Sequence, residues 1–133
     1  MTIRRPAVRP CESCPYRRDV PSGIWAAEEY HTLPGFDQET ASQPLGAFMC
    51  HQSNGRLCAG WVGCHDVDNL LGLRIVQRWM SPADVEATYG YESPVPLFDS
   101  GAQAAEHGLA EVDNPGSRAL RMIRKITRRR SHR

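Results

Sequence analysis

Residues 48–66 read FMCHQSNGRLCAGWVGCHD and contain three of the five cysteines in this 133-residue chain. These are Cys50, Cys58 and Cys64, and glycines divide the segment between them into short pieces. Because glycine favours turns over regular helix, the pattern predicts turns or short strands here. Cysteines in such loops, rather than on an apolar helix face, indicate a role other than filling a hydrophobic core.

The remaining two cysteines form a C-x2-C pair near the start of the chain, followed by a proline. This spacing places two sulfurs on one turn, within reach of a single metal or cluster. An odd number of cysteines argues against a closed disulfide framework, and a domain of this size gains much from a metal staple. The predicted ligands are Cys11, Cys14, Cys50 and Cys58, with Cys64, His51 and His65 as alternates.

The spacing leaves the metal open. Structural zinc usually takes two pairs of ligands with about two to four residues inside each pair, and here only Cys11 and Cys14 fit that pattern. Loose spacing and a Cys-Pro step are common in iron–sulfur ligation. We therefore expect a [4Fe-4S] cluster by a narrow margin, with zinc as the alternative. Either His51 or His65 could complete a zinc site of three cysteines and one histidine.

Charge is distributed unevenly behind a net value of +1. Residues 1–18 carry +4, residues 19–117 carry −11 and residues 118–133 carry +8. A basic end on an acidic body indicates either contact with a polyanion, nucleic acid first, or a helix folded against its own acidic body. The residues predicted to bind nucleic acid are Arg118, Arg121, Arg124, Lys125, Arg128, Arg129 and Arg130.

The rest of the chain favours helix. We expect a short helix capped by Ser22, a long buried helix over residues 67–80 capped by Asp66, and a helix from Pro82 to about Gly90. A further short helix is expected at residues 100–107, and a basic last helix begins at Ser117. The predicted fold is a small, irregular, mainly α metal-centred domain with long loops and little β-structure. It divides into residues 1–113 and a basic C-terminal helix, residues 114–133.

Composition and motifs restrict the function. No stretch approaches the roughly 18 apolar residues of a membrane span, and no secretory signal precedes the first cysteine, so we expect a cytoplasmic protein. Phosphate-binding glycine loops and hydrolase motifs are absent from the sequence. The sequence thus predicts a non-enzymatic regulatory module with no catalytic residues. The alternatives are a redox or cluster-dependent enzyme that uses Cys64 or His65, and a structural zinc adaptor that binds protein.

Two resemblances extend this interpretation. The motifs CxxCPYRRD at residues 11–19, SGIW at 22–25, FxCH at 48–51 and CAGW at 58–61 resemble a family of small actinobacterial and phage proteins without an established function. That resemblance covers residues 11–73. The cysteines, the glycine–tryptophan turn and the basic tail are also similar to parts of the WhiB-like regulators, although the order of the cysteines differs. The second resemblance implies a [4Fe-4S] cluster, and DNA, RNA polymerase or a sigma factor as partners.

Overall fold

The computed structural model describes residues 2–131, so Met1 and, in the predicted basic tail, His132 and Arg133 lie outside the described residues. Within that range β-structure is limited to isolated bridges, and the predicted mainly helical class is confirmed. No helix in residues 2–131 has the length and apolar character that crossing a membrane requires. The α-helices are α1 (Ala27–His31), α2 (Ala59–Cys64), α3 (Leu71–Val76), α4 (Pro82–Tyr89), α5 (Gly101–Leu109) and α6 (Ser117–Ser131). Short 3₁₀ helices span Leu33–Asp37, Thr40–Ser42, Val67–Asn69 and Gln77–Trp79.

Helix α5 packs against α1 and the 3₁₀ helix Leu33–Asp37. The approach to α1 is close, because a Cβ atom added at Gly108 would lie 2.1 Å from a ring carbon of Tyr30. The hydroxyl oxygen of Tyr30 accepts hydrogen bonds from the backbone N–H groups of Ile24 and Trp25, both at 3.1 Å. The interior around α5 therefore fixes the loop that carries Trp25.

The long helix predicted over residues 67–80 is wrong as a single element. The structure has a 3₁₀ helix, α3 and a second 3₁₀ helix in that range. Leu70 is extended, with φ −83° and ψ 106°, and the Gln43 side chain accepts a hydrogen bond from Leu71 N at 3.1 Å. This side-chain acceptor takes the place of a carbonyl from a preceding helical turn, so α3 starts afresh at Leu71.

Two further local predictions are wrong. Helix α1 begins at Ala27 rather than after Ser22, and Ser22 is buried away from it. The Ser22 hydroxyl donates to Gly108 O at 3.0 Å and accepts from Glu111 N at 2.8 Å, so it joins its loop to the end of α5. For residues 48–66, the prediction of turns or short strands holds over 48–58, where Met49 and Leu57 form an antiparallel bridge, and is wrong over helix α2.

Other predicted helix ends are confirmed. Ser81 accepts a hydrogen bond from Asp84 N at the start of α4, and Ser100 accepts one from Gln103 N at the start of α5. Helix α6 begins at Ser117 and places Ala119 in the same hydrophobic core as the rest of the chain. The division after residue 113 stays a prediction.

Candidate metal centre

Four of the five cysteines meet where the N-terminal turn contacts the loop before α2. The Sγ atoms of Cys14 and Cys58 are 3.8 Å apart. The thiol of Cys11 interacts with those of both Cys14 and Cys50. The contacts therefore run in a row from Cys50 through Cys11 and Cys14 to Cys58, and they join the four residues predicted as ligands.

Backbone hydrogen bonds hold each half of this cluster. Cys14 N donates to Cys11 O at 3.0 Å, which closes the turn between the first two cysteines. Cys50 N donates to Arg56 O at 2.8 Å and Cys58 N donates to Phe48 O at 3.0 Å. These bonds and the antiparallel bridge between Met49 and Leu57 form a short hairpin that carries Cys50 on one side and Cys58 on the other. Cys58 also caps α2, since its sulfur accepts a hydrogen bond from Trp61 N at 3.4 Å.

The environment of the cluster favours protonated thiols. The contact with Cys14 is the main cause that raises the pKa of Cys11, while the neighbouring Cys50 lowers it. Contact with Cys11, followed by burial, raises the pKa of Cys50. Contact with Cys11 lowers the pKa of Cys14, but contact with Cys58 and burial raise it well above its usual value. Thiolates crowded together in a buried site repel one another, and a bound cation is what would relieve that repulsion.

No three or more His, Cys, Asp or Glu side chains within residues 2–131 are grouped so that they could hold a metal ion as they stand. The row of contacts explains this absence, because a tetrahedrally coordinated ion needs its four ligands around one point. The 3.8 Å between Cys14 and Cys58 nevertheless equals one edge of a zinc–thiolate tetrahedron, which is about 3.8 Å for a Zn–S bond of about 2.3 Å. In a [4Fe-4S] cluster each cysteine binds a different iron, which spreads the sulfurs further apart. The Cys14–Cys58 distance is therefore one that two zinc ligands could have, although the four thiols do not surround a single point.

Gly60 lets α2 approach the cluster. A Cβ atom at this position would lie 2.4 Å from Cys14 Sγ and 2.7 Å from Tyr16 Cβ. Sequence reasoning treated Gly60 only as a breaker of regular structure. The signal that could have shown this role is the position of Gly60, two residues after the candidate ligand Cys58, where the helix passes close to Cys14.

The two histidines proposed as alternate ligands have other partners. His51 Nε2 lies 2.6 Å from a carboxylate oxygen of Glu29, and its ring packs 4.4 Å from that of Trp25, centroid to centroid. His65 Nδ1 lies 2.8 Å from Trp61 O, and its Nε2 lies 3.1 Å from Asp37 Oδ1. Both ring nitrogens of His65 therefore face acceptors, which disfavours a role as general base.

Cys64 lies at the opposite end of α2 from Cys58. It is half-buried and lines a cleft of about 280 Å³ together with Asp37 and Asp99. Burial first, and then these two carboxylates, raise the pKa of Cys64 to about 12. A thiol that stays protonated is a poor nucleophile.

Alkylation of Cys64 should therefore be slow. At pH 8 we expect it to react with iodoacetamide about a thousandfold more slowly in the folded protein than in urea, because the thiolate fraction falls with the raised pKa. The rate is measured by mass spectrometry of the peptide that contains Cys64. Rates within about tenfold of each other would instead identify a reactive thiol and support the enzymatic alternative.

Asp37 links three elements beside this cleft. Its carboxylate accepts hydrogen bonds from Gly101 N at 2.7 Å and Ala102 N at 2.8 Å, at the start of α5, and contacts His65. Asp37→Ala should lower the free energy of unfolding in urea by about 2 kcal/mol, and Asp37→Asn by about half as much, since amide oxygens are weaker acceptors. A loss below about 0.5 kcal/mol for the alanine variant would contradict this bridging role.

Helix α6 lies across both cysteine loops. Lys125 Nζ is 2.7 Å from a carboxylate oxygen of Glu12, and Arg129 lies 3.5 Å from the other oxygen. Arg129 also donates to the Gln52 side chain at 2.8 Å. Glu12 lies between Cys11 and Cys14, and Gln52 lies two residues after Cys50, so this side of α6 is held by residues within two positions of three of the clustered cysteines. Arg130 also contacts the body, since it donates to His51 O at 3.1 Å and stacks over Trp25.

The basic residues of α6 therefore divide into two groups. The docked group contacts the body of the protein and comprises Arg118, which donates to Asp19 O at 3.2 Å, with Lys125, Arg129 and Arg130. The outer group comprises Arg121 and Arg124, which share a helix face by their i, i+3 spacing. Arg128 follows Arg121 by seven positions on that face and is assigned to neither group. All seven residues are exposed.

Comparison with known proteins gives one match. Residues 6–130 match the model of a family described as "Family of unknown function (DUF6283)". No curated protein and no solved structure matches the chain.

Proposed function

Because the chain belongs to DUF6283, a family without a known activity, we infer its function from the geometry of its cysteines. We propose a non-enzymatic, cysteine-ligated zinc module that presents a basic helix to nucleic acid. The observation that carries the metal is the contact of four thiols from two loops, with 3.8 Å between Cys14 and Cys58. A bound zinc ion would cross-link the two loops as a structural Lewis acid, with Cys11, Cys14, Cys50 and Cys58 as its ligands.

The basic helix supports a polyanionic partner. Residues 117–131 contain no acidic residue, and Arg121 and Arg124 of the outer group are exposed. Arginine side chains bind phosphate oxygens without reading base sequence. Helix α6 also contains no aromatic residue that could stack on a base. We therefore propose phosphate-dominated contacts with little sequence preference.

Metal content tests the first half of the proposal. Protein purified without oxygen should contain about one zinc per chain, remain colourless and release zinc to a strong chelator with loss of helical structure. Elemental analysis with an absorption spectrum measures this. A brown protein that contains iron and sulfide would replace zinc by the [4Fe-4S] cluster, and a protein without either metal would contradict a metal-centred module.

A salt titration tests the second half. Affinity for a short DNA duplex should fall steeply with salt, and the double variant Arg121→Gln/Arg124→Gln should reduce the slope of log K against log salt by about 1–2. The matched control is Arg74→Gln/Arg78→Gln, which removes two arginines away from α6 and should leave the slope unchanged. Equal slopes for the two double variants would contradict an interface on the outer group.

The alternatives receive less support. The raised pKa of Cys64 and the engaged nitrogens of His65 disfavour the redox or cluster-dependent enzyme. A zinc adaptor that binds protein would have no salt-dependent affinity for DNA through α6. The salt titration therefore separates it from the nucleic-acid module. RNA polymerase, a sigma factor and the cytoplasmic location remain predictions.

A further inference from the structure

We propose that Glu12 and the cysteine loops occupy Lys125, Arg129 and Arg130 of the docked group and so keep them from binding nucleic acid. We call this contact the mask. The folded protein then binds nucleic acid more weakly than it would with these three residues released. This inference rests on the proposed nucleic-acid function and concerns its regulation. It predicts an autoinhibitory contact in which a carboxylate of the C-x2-C turn occupies cations that would otherwise bind phosphate.

In the mask, a single carboxylate of the C-x2-C turn occupies two cations of α6. One carboxylate, that of Glu12, approaches two cations of the helix, Lys125 at 2.7 Å and Arg129 at 3.5 Å. Glu12 is the only acid among residues 1–18, and it stands between two of the four clustered cysteines. A carboxylate and a phosphate compete for the same charged hydrogen-bond donors, so these cations are unavailable to nucleic acid while Glu12 holds them.

The second cysteine loop completes the mask. The Gln52 side chain accepts from Arg129 at 2.8 Å, and the carbonyl of His51 accepts from Arg130 at 3.1 Å. Three basic residues of α6, Lys125, Arg129 and Arg130, are thereby engaged by groups within two positions of a clustered cysteine. A rearrangement of either cysteine loop would move these acceptors and release the basic residues.

The mask is weak enough to open. The side chains of Lys125, Glu12 and Arg129 are 51%, 52% and 46% exposed, respectively. Ion pairs with this much contact with water contribute little to stability. A polyanion can therefore displace Glu12 without unfolding the domain, whereas Ala119 and Ile126, which are buried, keep the inner face of α6 in the core.

A double-mutant cycle tests the mask on the full chain with zinc bound. The probe is a fluorescent DNA duplex of random sequence at about 0.1 M salt, where charges more than about 10 Å apart are largely screened. Glu12→Gln should bind about fivefold tighter than the wild type. The control Glu86→Gln removes the same charge from α4 and should change affinity by less than about twofold.

Lys125→Gln supplies the other side of the cycle. In the wild type it should weaken binding by less than about twofold, because Lys125 is already occupied, and in the Glu12→Gln background by about fivefold. Equal effects of Lys125→Gln in the two backgrounds would overturn the mask, as would equal affinities of Glu12→Gln and Glu86→Gln.

Two further outcomes are distinguishable. If no variant binds the duplex, the nucleic-acid function fails and the mask fails with it, whereas binding with no coupling removes the mask alone. Zinc content and helical signal are measured on every variant. If Glu12→Gln does not fold, Glu12→Asp takes its place, because it keeps the charge but shortens the reach towards Lys125. The effect of Lys125→Gln on DNA affinity must then be larger in the Glu12→Asp background than in the wild type, by a smaller factor than with Glu12→Gln.

Discussion

Cys14→Ser should leave the protein without bound zinc and largely unfolded at 25 °C, whereas Cys64→Ser should retain zinc and the wild-type fold. Cys14 is 1% exposed and contacts both Cys11 and Cys58, so its removal breaks the row of thiols in the middle. Structural zinc contributes about 10–16 kcal/mol of apparent binding free energy in small domains. Since whole domains are stable by only about 5–15 kcal/mol, loss of the ion exceeds what the remaining core can offset.

The comparison uses zinc stoichiometry, circular dichroism and urea denaturation of both variants. Cys64 is the matched control because it is a half-buried cysteine at the end of α2, outside the row of contacts. A zinc-loaded, folded Cys14→Ser protein would sink the proposed ligand set. A Cys64→Ser protein that loses zinc would move Cys64 into the set.

The sequence predicted Cys11, Cys14, Cys50 and Cys58 as ligands of one ion, and the structure brings their thiols into a row of contacts. That they bind a metal stays a prediction. The sequence did not predict how they are held. The hairpin that carries Cys50 and Cys58 depends on backbone hydrogen bonds across residues 48–58, which leave no periodic pattern in the sequence. Sequence reasoning also left His51 and His65 open as ligands. Their partners, Glu29 and Asp37, are more than 20 positions distant along the chain.

Helix prediction failed where tertiary contacts override local preference. Apolar residues over 67–80 indicated one buried helix, yet a side chain from Gln43 accepts the Leu71 N–H group and splits it. The apolar stripe of α6 correctly indicated a packed inner face. What the basic residues of α6 contact was not readable from the stripe, because their acceptors on Glu12, His51 and Gln52 belong to the cysteine loops.

Gly60→Ala should lower both the stability of the protein and its affinity for zinc, because it forces α2 away from Cys14. The added Cβ would lie 2.4 Å from Cys14 Sγ and 2.7 Å from Tyr16 Cβ. Tyr16 is fully buried, so its Cβ cannot retreat, and the thiol of Cys14 must move away from Cys58. We expect a loss of about 3 kcal/mol in the free energy of unfolding, as for other overpacked cores, and at least about a hundredfold weaker zinc binding.

Gly63→Ala is the matched control on the same helix. Its Cβ would meet Leu97 Cδ1 at 2.8 Å, the far end of a flexible side chain that can rotate aside. Alanine also has a higher helix propensity than glycine by about 1 kcal/mol, which offsets much of that contact. Zinc competition with a chromogenic chelator and urea denaturation measure both variants. If Gly60→Ala bound zinc as tightly as Gly63→Ala, the turn of residues 11–14, and not α2, would set the position of Cys14. The close approach at Gly60 would then matter for core packing but not for zinc binding.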